Sequence, residues 1–203
     1  LADSVATLVD RLQDRYKAES SAVLDNAAHM ASILDQLENA RERAKRWTIV
    51  AGEQSTPIPH AFATVEPGMQ RVYKRGRRGM RIVADSPTDT LLHVWRKRAK
   101  YLRHQVEALN VLDPSGLGAM EVDLEQLTDA LGDDHDLAVL LARIKDDPHL
   151  TDGINTDPIV GAICGKRREL QDYAITLGRR RFEDHSSVFL AYIQSIWGEG
   201  DTF

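Results

Sequence analysis

Apolar residues recur every three or four positions over long stretches of the chain, and no stretch alternates apolar with polar residues as a half-buried strand would. The spacing predicts helices near 2–18, 21–47, 65–84, 87–110, 118–131, 134–146, 157–181 and 185–197. Pro57, Pro59, Pro67, Pro87, Pro114, Pro148 and Pro158 all fall where one of these helices is expected to begin or end. Ser86-Pro87-Thr88-Asp89 offers a serine N-cap followed by proline at the first helical position. Gly132 is expected to stop one helix, with Asp133 or Asp134 capping the next. Glu53 to Pro59 reads as a linker. The fold class that follows is all-α.

Two of these helices have a two-sided design. In 87–110 the residues Leu92, Trp95, Ala99, Leu102, Val106 and Leu109 are spaced 3, 4, 3, 4 and 3 apart, which makes one apolar seam. At about 100° per residue, His93, Arg96, Lys97, Lys100, Arg103 and His104 gather in a separate stripe about 16 Å long. Arg98 falls outside it. Helix 65–84 repeats the pattern, with Met69, Val72, Gly76, Gly79 and Val83 as the seam and Arg71, Lys74, Arg75 and Arg78 as the basic stripe. Arg81 lies at that stripe's edge and Arg77 points elsewhere. Each glycine costs a helix about 1 kcal/mol against alanine, so Gly76 and Gly79 predict close approach by a neighbouring helix.

Composition sharpens this picture. The 203 residues carry a net charge of −5, yet between Arg71 and His104 eleven Lys/Arg stand against two acids, Asp85 and Asp89. The remainder holds 15 basic and 29 acidic residues. An acidic chain with one concentrated basic block is a scaffold presenting a local anion site. Like charges at i,i+4 repel where a solvated face would mix signs, so the two stripes call for an anionic ligand. Arginine brings a planar fork matched to phosphate oxygens and lysine a point charge. A stripe suits an extended ligand with many phosphates.

Other features bound the function. Hydrophobic content of 42% and charged content of 28% exclude a disordered chain. The single Cys164 cannot make an intrachain disulfide and reads as a buried small hydrophobe. No apolar run approaches a membrane span and no secretory leader is visible, so the cytoplasm is the expected compartment and no membrane partner is expected. The opening residue is Leu1, which predicts an N-terminus that has been trimmed.

The stretch Leu92-His93-Val94-Trp95-Arg96-Lys97-Arg98-Ala99-Lys100-Tyr101-Leu102-Arg103 resembles the CHAD family, the conserved histidine α-helical domains, whose signature has the form H-x-x-R-K-x-x-K-x-x-R. Val72-Tyr73-Lys74-Arg75-Gly76-Arg77-Arg78 is similar to that family's upstream helix, and Leu131-Gly132-Asp133-Asp134-His135-Asp136-Leu137-Ala138-Val139-Leu140 to its downstream L-G-x-x-H-D-L-x-V-L segment. Leu177-Gly178-Arg179-Arg180-Arg181-Phe182 is a less diagnostic echo. The resemblance implies four-helix-bundle repeats whose basic helices face a channel, and binding of inorganic polyphosphate without catalysis or a cofactor. Carried over by motif position, the binding residues are His93, Arg96, Lys97, Lys100 and Arg103, supported by Lys74, Arg75 and Arg78; Arg71 and His104 join them on the helical wheel alone. Phosphate or sulfate ions would stand in for the ligand in a crystal, and polyphosphate granules would be a place of association. Residues 1–48 lack the family's earlier basic motif, so they are expected to close an incomplete first repeat, with 49–60 as linker and 61–203 as the second repeat.

Two rival readings have their own residues. His135-Asp136 is the dipeptide used by HD-type metal phosphohydrolases, with His104, His149, Asp184 and His185 as candidate further ligands. The plainer alternative is that Asp134 and Asp136 stabilise a helix N-terminus, or that Asp136 orients a basic side chain. A nucleic-acid-binding module would use the same cations, but the stripes hold no aromatic residue for base stacking, which disfavours it. Trp95 sits in the apolar seam and is expected in the core.

Overall fold

The computed structural model describes residues 2–45 and 62–200, the last two of these by backbone alone. Among the described residues the chain is all-α, an eight-helix arrangement without strands. The expected linker and the end of the helix drawn to residue 47 lie outside the described residues. The helices are α1 (Ala2–Leu24), α2 (Ala27–Lys45), α3 (Phe62–Asp85), α4 (Asp89–Leu109), α5 (Pro114–Asp146), α6 (Pro148–Thr151), α7 (Asp157–Phe182) and α8 (Ser186–Gly200). Their contacts sort the chain into two compact units, one of 1–59 with 147–156 and one of 60–146 with 157–203.

In the larger unit α3 packs on α4, α4 on α5, α5 on α7 and α7 back on α3, with α8 against α3. The α4 seam is buried as expected: Trp95, Ala99, Leu102 and Val106 are 0% exposed. Trp95 lies between two glycines, since a Cβ on Gly79 of α3 would come 3.0 Å from its Cδ1 and one on Gly178 of α7 2.6 Å from its Cζ2. Gly76 gives the same closeness to the Phe182 ring. The α3 seam is wider than the sequence predicts. Tyr73 and Met80 are also buried, and Tyr73 stacks on Phe189 of α8 at 4.7 Å between ring centres.

Several boundaries differ from expectation. Residues 114–146 form one unbroken helix, so Gly132 does not stop it and Asp133 and Asp134 cap nothing. Buried residues flank Gly132 on both sides, Leu127 and Leu131 before it and Asp134 and Ile144 after it, and their packing outweighs the roughly 1 kcal/mol that glycine costs a helix. Thr88, not Ser86, caps α4, its hydroxyl accepting from the Leu91 amide at 3.3 Å. Pro87 is therefore outside the helix. Pro67 sits inside α3, close enough to its start that few backbone bonds are affected. Asp113 caps α5, accepting from the Gly116 amide at 2.9 Å, with Pro114 opening the helix.

Two buried carboxylates join α5 to α7. Asp134 accepts from Arg167 Nε at 2.9 Å and Gln171 Nε2 at 2.8 Å, and Asp123 from Arg181 Nε at 2.6 Å and Arg180 Nη1 at 3.2 Å. In the smaller unit, Leu8 and Leu150 are buried, and Arg11 Nη1 donates to the carbonyls of Leu150 and Asp152 at 2.9 Å each. Asp147 caps the short α6, which the sequence did not predict, and pairs with Arg15. None of the described α2 side chains is buried, and Leu34 and Leu37 are exposed.

Candidate anion-binding site

Burying the α4 seam fixes the roll of that helix and carries its cations to the flank beside α5. Arg96 lies over Gly132, where a Cβ would stand 3.3 Å from its Nη2. The glycine mistaken for a helix stop is the space that the guanidinium needs. His93 faces His135 of α5 with ring centres 4.6 Å apart. Lys97 is exposed and Lys100 half-buried. Further along, Arg103 donates to Glu125 at 2.5 Å, and His104 Nδ1 is 3.2 Å from Glu107, one turn on along the same helix.

This flank is poor in internal partners. His93 Nδ1, Arg96 Nε and Arg103 Nε are shielded from solvent with no hydrogen-bond partner. Such groups carry a cost unless a ligand or water meets them. His93 titrates below the usual histidine range, because it is desolvated and because Lys97, His135 and Arg96 disfavour a further positive charge. It is therefore a neutral hydrogen-bonding group near neutral pH.

On α3 the pattern divides. Arg71, Lys74, Arg75 and Arg78 are exposed. Arg77 turns away, as its position predicts, and donates to the carbonyls of Phe182 and Glu183 at 3.0 Å each, satisfying the C-terminal end of α7. The Tyr73 hydroxyl, between the carbonyls of Arg181 and Asp184 at 3.2 Å each, ties the same corner, and burial pushes its pKa to about 12. Lys74, Arg78 and Arg81 line a pocket with His185 and Ser186 at the α7–α8 corner. The structure thus brings His93, Arg96 and Lys97 together beside α5, and Lys74 and Arg78 together beside α8.

Charge pairing divides the cations into two groups. Arg167, Arg180 and Arg181 are held by Asp134 and Asp123, and Arg103 by Glu125. Among the described residues, Arg71, Lys74, Arg75, Arg78, Arg96, Lys97 and Lys100 have no carboxylate in ion-pair range.

The segment 131–136 serves this arrangement through residues that the sequence assigned otherwise. Gly132 admits Arg96, Asp134 anchors Arg167, and His135 meets His93, whereas Asp136 is exposed. It is Asp134 that orients a basic side chain. Gly132 and His135 share one face of α5, a relation that shows only once 114–146 is known to be one helix. Among the described residues no three of His, Cys, Asp and Glu come together as a metal site would require, and the ring that faces His135 is that of His93.

A family model described as the CHAD domain matches residues 1–145. The chain belongs to the CHAD family. CHAD domains are known for binding polyphosphate and are in general binding modules. The tail resemblance at 177–182 lies beyond the matched residues. No curated protein and no solved structure matches the chain. No described helix is long and apolar enough to cross a membrane.

Proposed function

We propose that this domain binds inorganic polyphosphate without catalysis, by laying the polymer along the α4 flank beside α5. Arg96, Lys97 and Lys100 neutralise successive phosphates, His93 donates or accepts a hydrogen bond as a neutral imidazole, and Arg103 joins once phosphate competes with Glu125. Arg71, Lys74, Arg75 and Arg78 supply further charge from α3, and His104 lies at the far end of the row. The observation that supports this most strongly is the set of cations on α4 that no internal carboxylate neutralises, next to buried nitrogens that no internal acceptor meets. Extended polyanions release counterions on binding, so affinity falls steeply with salt.

Arg96→Ala/Lys97→Ala/Lys100→Ala tests the assignment, because none of the three side chains has an ion-pair partner whose loss would unfold the helix. Long-chain polyphosphate should bind the parent tightly and the triple variant at least tenfold more weakly, with the slope of log affinity against log salt reduced by about two if each lost contact counts about 0.7. Circular dichroism should match. A triple variant that binds like the parent refutes the site. Preference for DNA or RNA over polyphosphate of equal charge would instead favour a nucleic-acid module.

A further inference from the structure

A second feature of the larger unit is a pocket of about 190 Å³ at the α7–α8 corner, lined by Lys74, Arg77, Arg78, Arg81, Ile82, His185 and Ser186. Arg77 is already committed to the carbonyls of Phe182 and Glu183. Lys74, Arg78 and Arg81 have no carboxylate partner among the described residues. At the other wall α8 begins, a helix of 15 residues whose first amides carry partial positive charge.

Ser186 distinguishes this corner from an ordinary helix start. It is 1% exposed, yet its hydroxyl has no hydrogen-bond partner. A buried hydroxyl left unmet costs about 1–3 kcal/mol in general, and here its residue lines a pocket with three unpaired cations. His185 completes the wall. Its Nδ1 lies 2.9 Å from Ser187 Oγ and 3.4 Å from the Ser187 amide, so with Nδ1 accepting, Nε2 carries the proton.

We infer that this corner is a discrete site for one phosphate group, held by Lys74, Arg78 and Arg81, the Ser186 hydroxyl and the first turn of α8. The group is either free phosphate or the end of a polyphosphate chain. The inference shares Lys74 and Arg78 with the proposed polymer surface, and rests on neither α4 nor its cations.

The test titrates orthophosphate and, separately, tripolyphosphate into the parent, Ser186→Ala, Arg81→Gln and Arg96→Ala/Lys97→Ala/Lys100→Ala, following phosphorus NMR line width. Orthophosphate should bind saturably, and Ser186→Ala and Arg81→Gln should each weaken it about tenfold. Ser186→Ala should not lower the melting temperature, since its hydroxyl makes no internal bond; a merely structural serine would. The α4 triple variant should keep the corner's affinity while losing long-chain polyphosphate, which separates failure of this site from failure of the polymer surface. The same variant dependence seen only with tripolyphosphate assigns the site to chain ends. Binding of both probes unchanged in Ser186→Ala and Arg81→Gln, or no saturable binding of either, overturns the inference.

Discussion

Gly178→Ala and Gly165→Ala form a matched pair that isolates one steric contact at the centre of the bundle. Both glycines lie inside α7, so alanine brings each the same helix-propensity gain, about 1 kcal/mol. A Cβ on Gly165 meets nothing within 4 Å, whereas one on Gly178 would stand 2.6 Å from Trp95 Cζ2, 2.8 Å from Cη2 and 3.0 Å from Met80 Cγ. Met80 can turn aside. Trp95 cannot, because it is 0% exposed and Gly79 of α3 closes on its other edge. Overpacking a rigid core residue costs about 1–3 kcal/mol. Gly165→Ala should therefore be more stable than the parent and Gly178→Ala less stable than Gly165→Ala by about that cost, a separation of several degrees in melting temperature for a chain of this size. Urea unfolding followed by far-UV circular dichroism reads the difference. Adding Trp95→Phe should relieve the clash, giving the double variant a favourable coupling energy. Equal stability of Gly178→Ala and Gly165→Ala, with no coupling to Trp95, would refute the claim that these contacts set the position of α4.

Two further outcomes follow from buried or bonded carboxylates. Asp134→Ala leaves Arg167 and Gln171 without their buried acceptor and should cost toward the lower end of the roughly 3–5 kcal/mol seen when a buried pair is broken, because Arg167 keeps Asp89; Asp134→Asn, which retains an acceptor, should lose less on urea unfolding. Bonds from the Gly116 amide, then from the Ser115 and Tyr192 hydroxyls, hold Asp113 at about 2, below the ordinary 3.8. A lowered carboxylate contributes its stability above the ordinary value and loses it as acid rises, so the advantage of the parent over Asp113→Asn should be constant above about pH 4 and shrink toward pH 2. Chemical unfolding at stepped pH checks this, and a gap that stays constant down to pH 2 would contradict it.

The sequence carried the fold class and the most regular parts of the candidate site's geometry because both depend on short-range spacing. The α4 seam needs only the period of Leu92, Trp95, Ala99, Leu102 and Val106, and its burial leaves the cations one place to go. Trp95 and the glycines Gly76 and Gly79 were legible for the same reason. Gly132 was not, because a glycine that ends a helix and a glycine that accommodates a guanidinium look alike until the facing helix is known. Asp134 was hidden similarly: its partner Arg167 is 33 residues away. The pocket at Ser186 joins α3 to the start of α8, more than a hundred residues on, and had no local signature. Histidine charge was only partly legible: Arg96 and Lys97 lie one turn from His93 in sequence, but the burial that chiefly lowers its pKa and the His135 imidazole appear only in the folded chain.

The pairing of Arg167, Arg180 and Arg181 with acids inside the α5–α7 contact has an effect on how a ligand first arrives. Pairing with Asp123, Asp134 and Asp89 offsets the charge of those three guanidinium groups at long range, while the chain outside 71–104 remains negative in sum. If polyphosphate binds as proposed, a polyanion diffusing toward this domain would be repelled by its acidic remainder and drawn by the unpaired cations of α3 and α4, orienting encounters before contact. On the proposed reading, ion pairing on α7 leaves the unpaired cations of α3 and α4 as the landing place, in low salt above all.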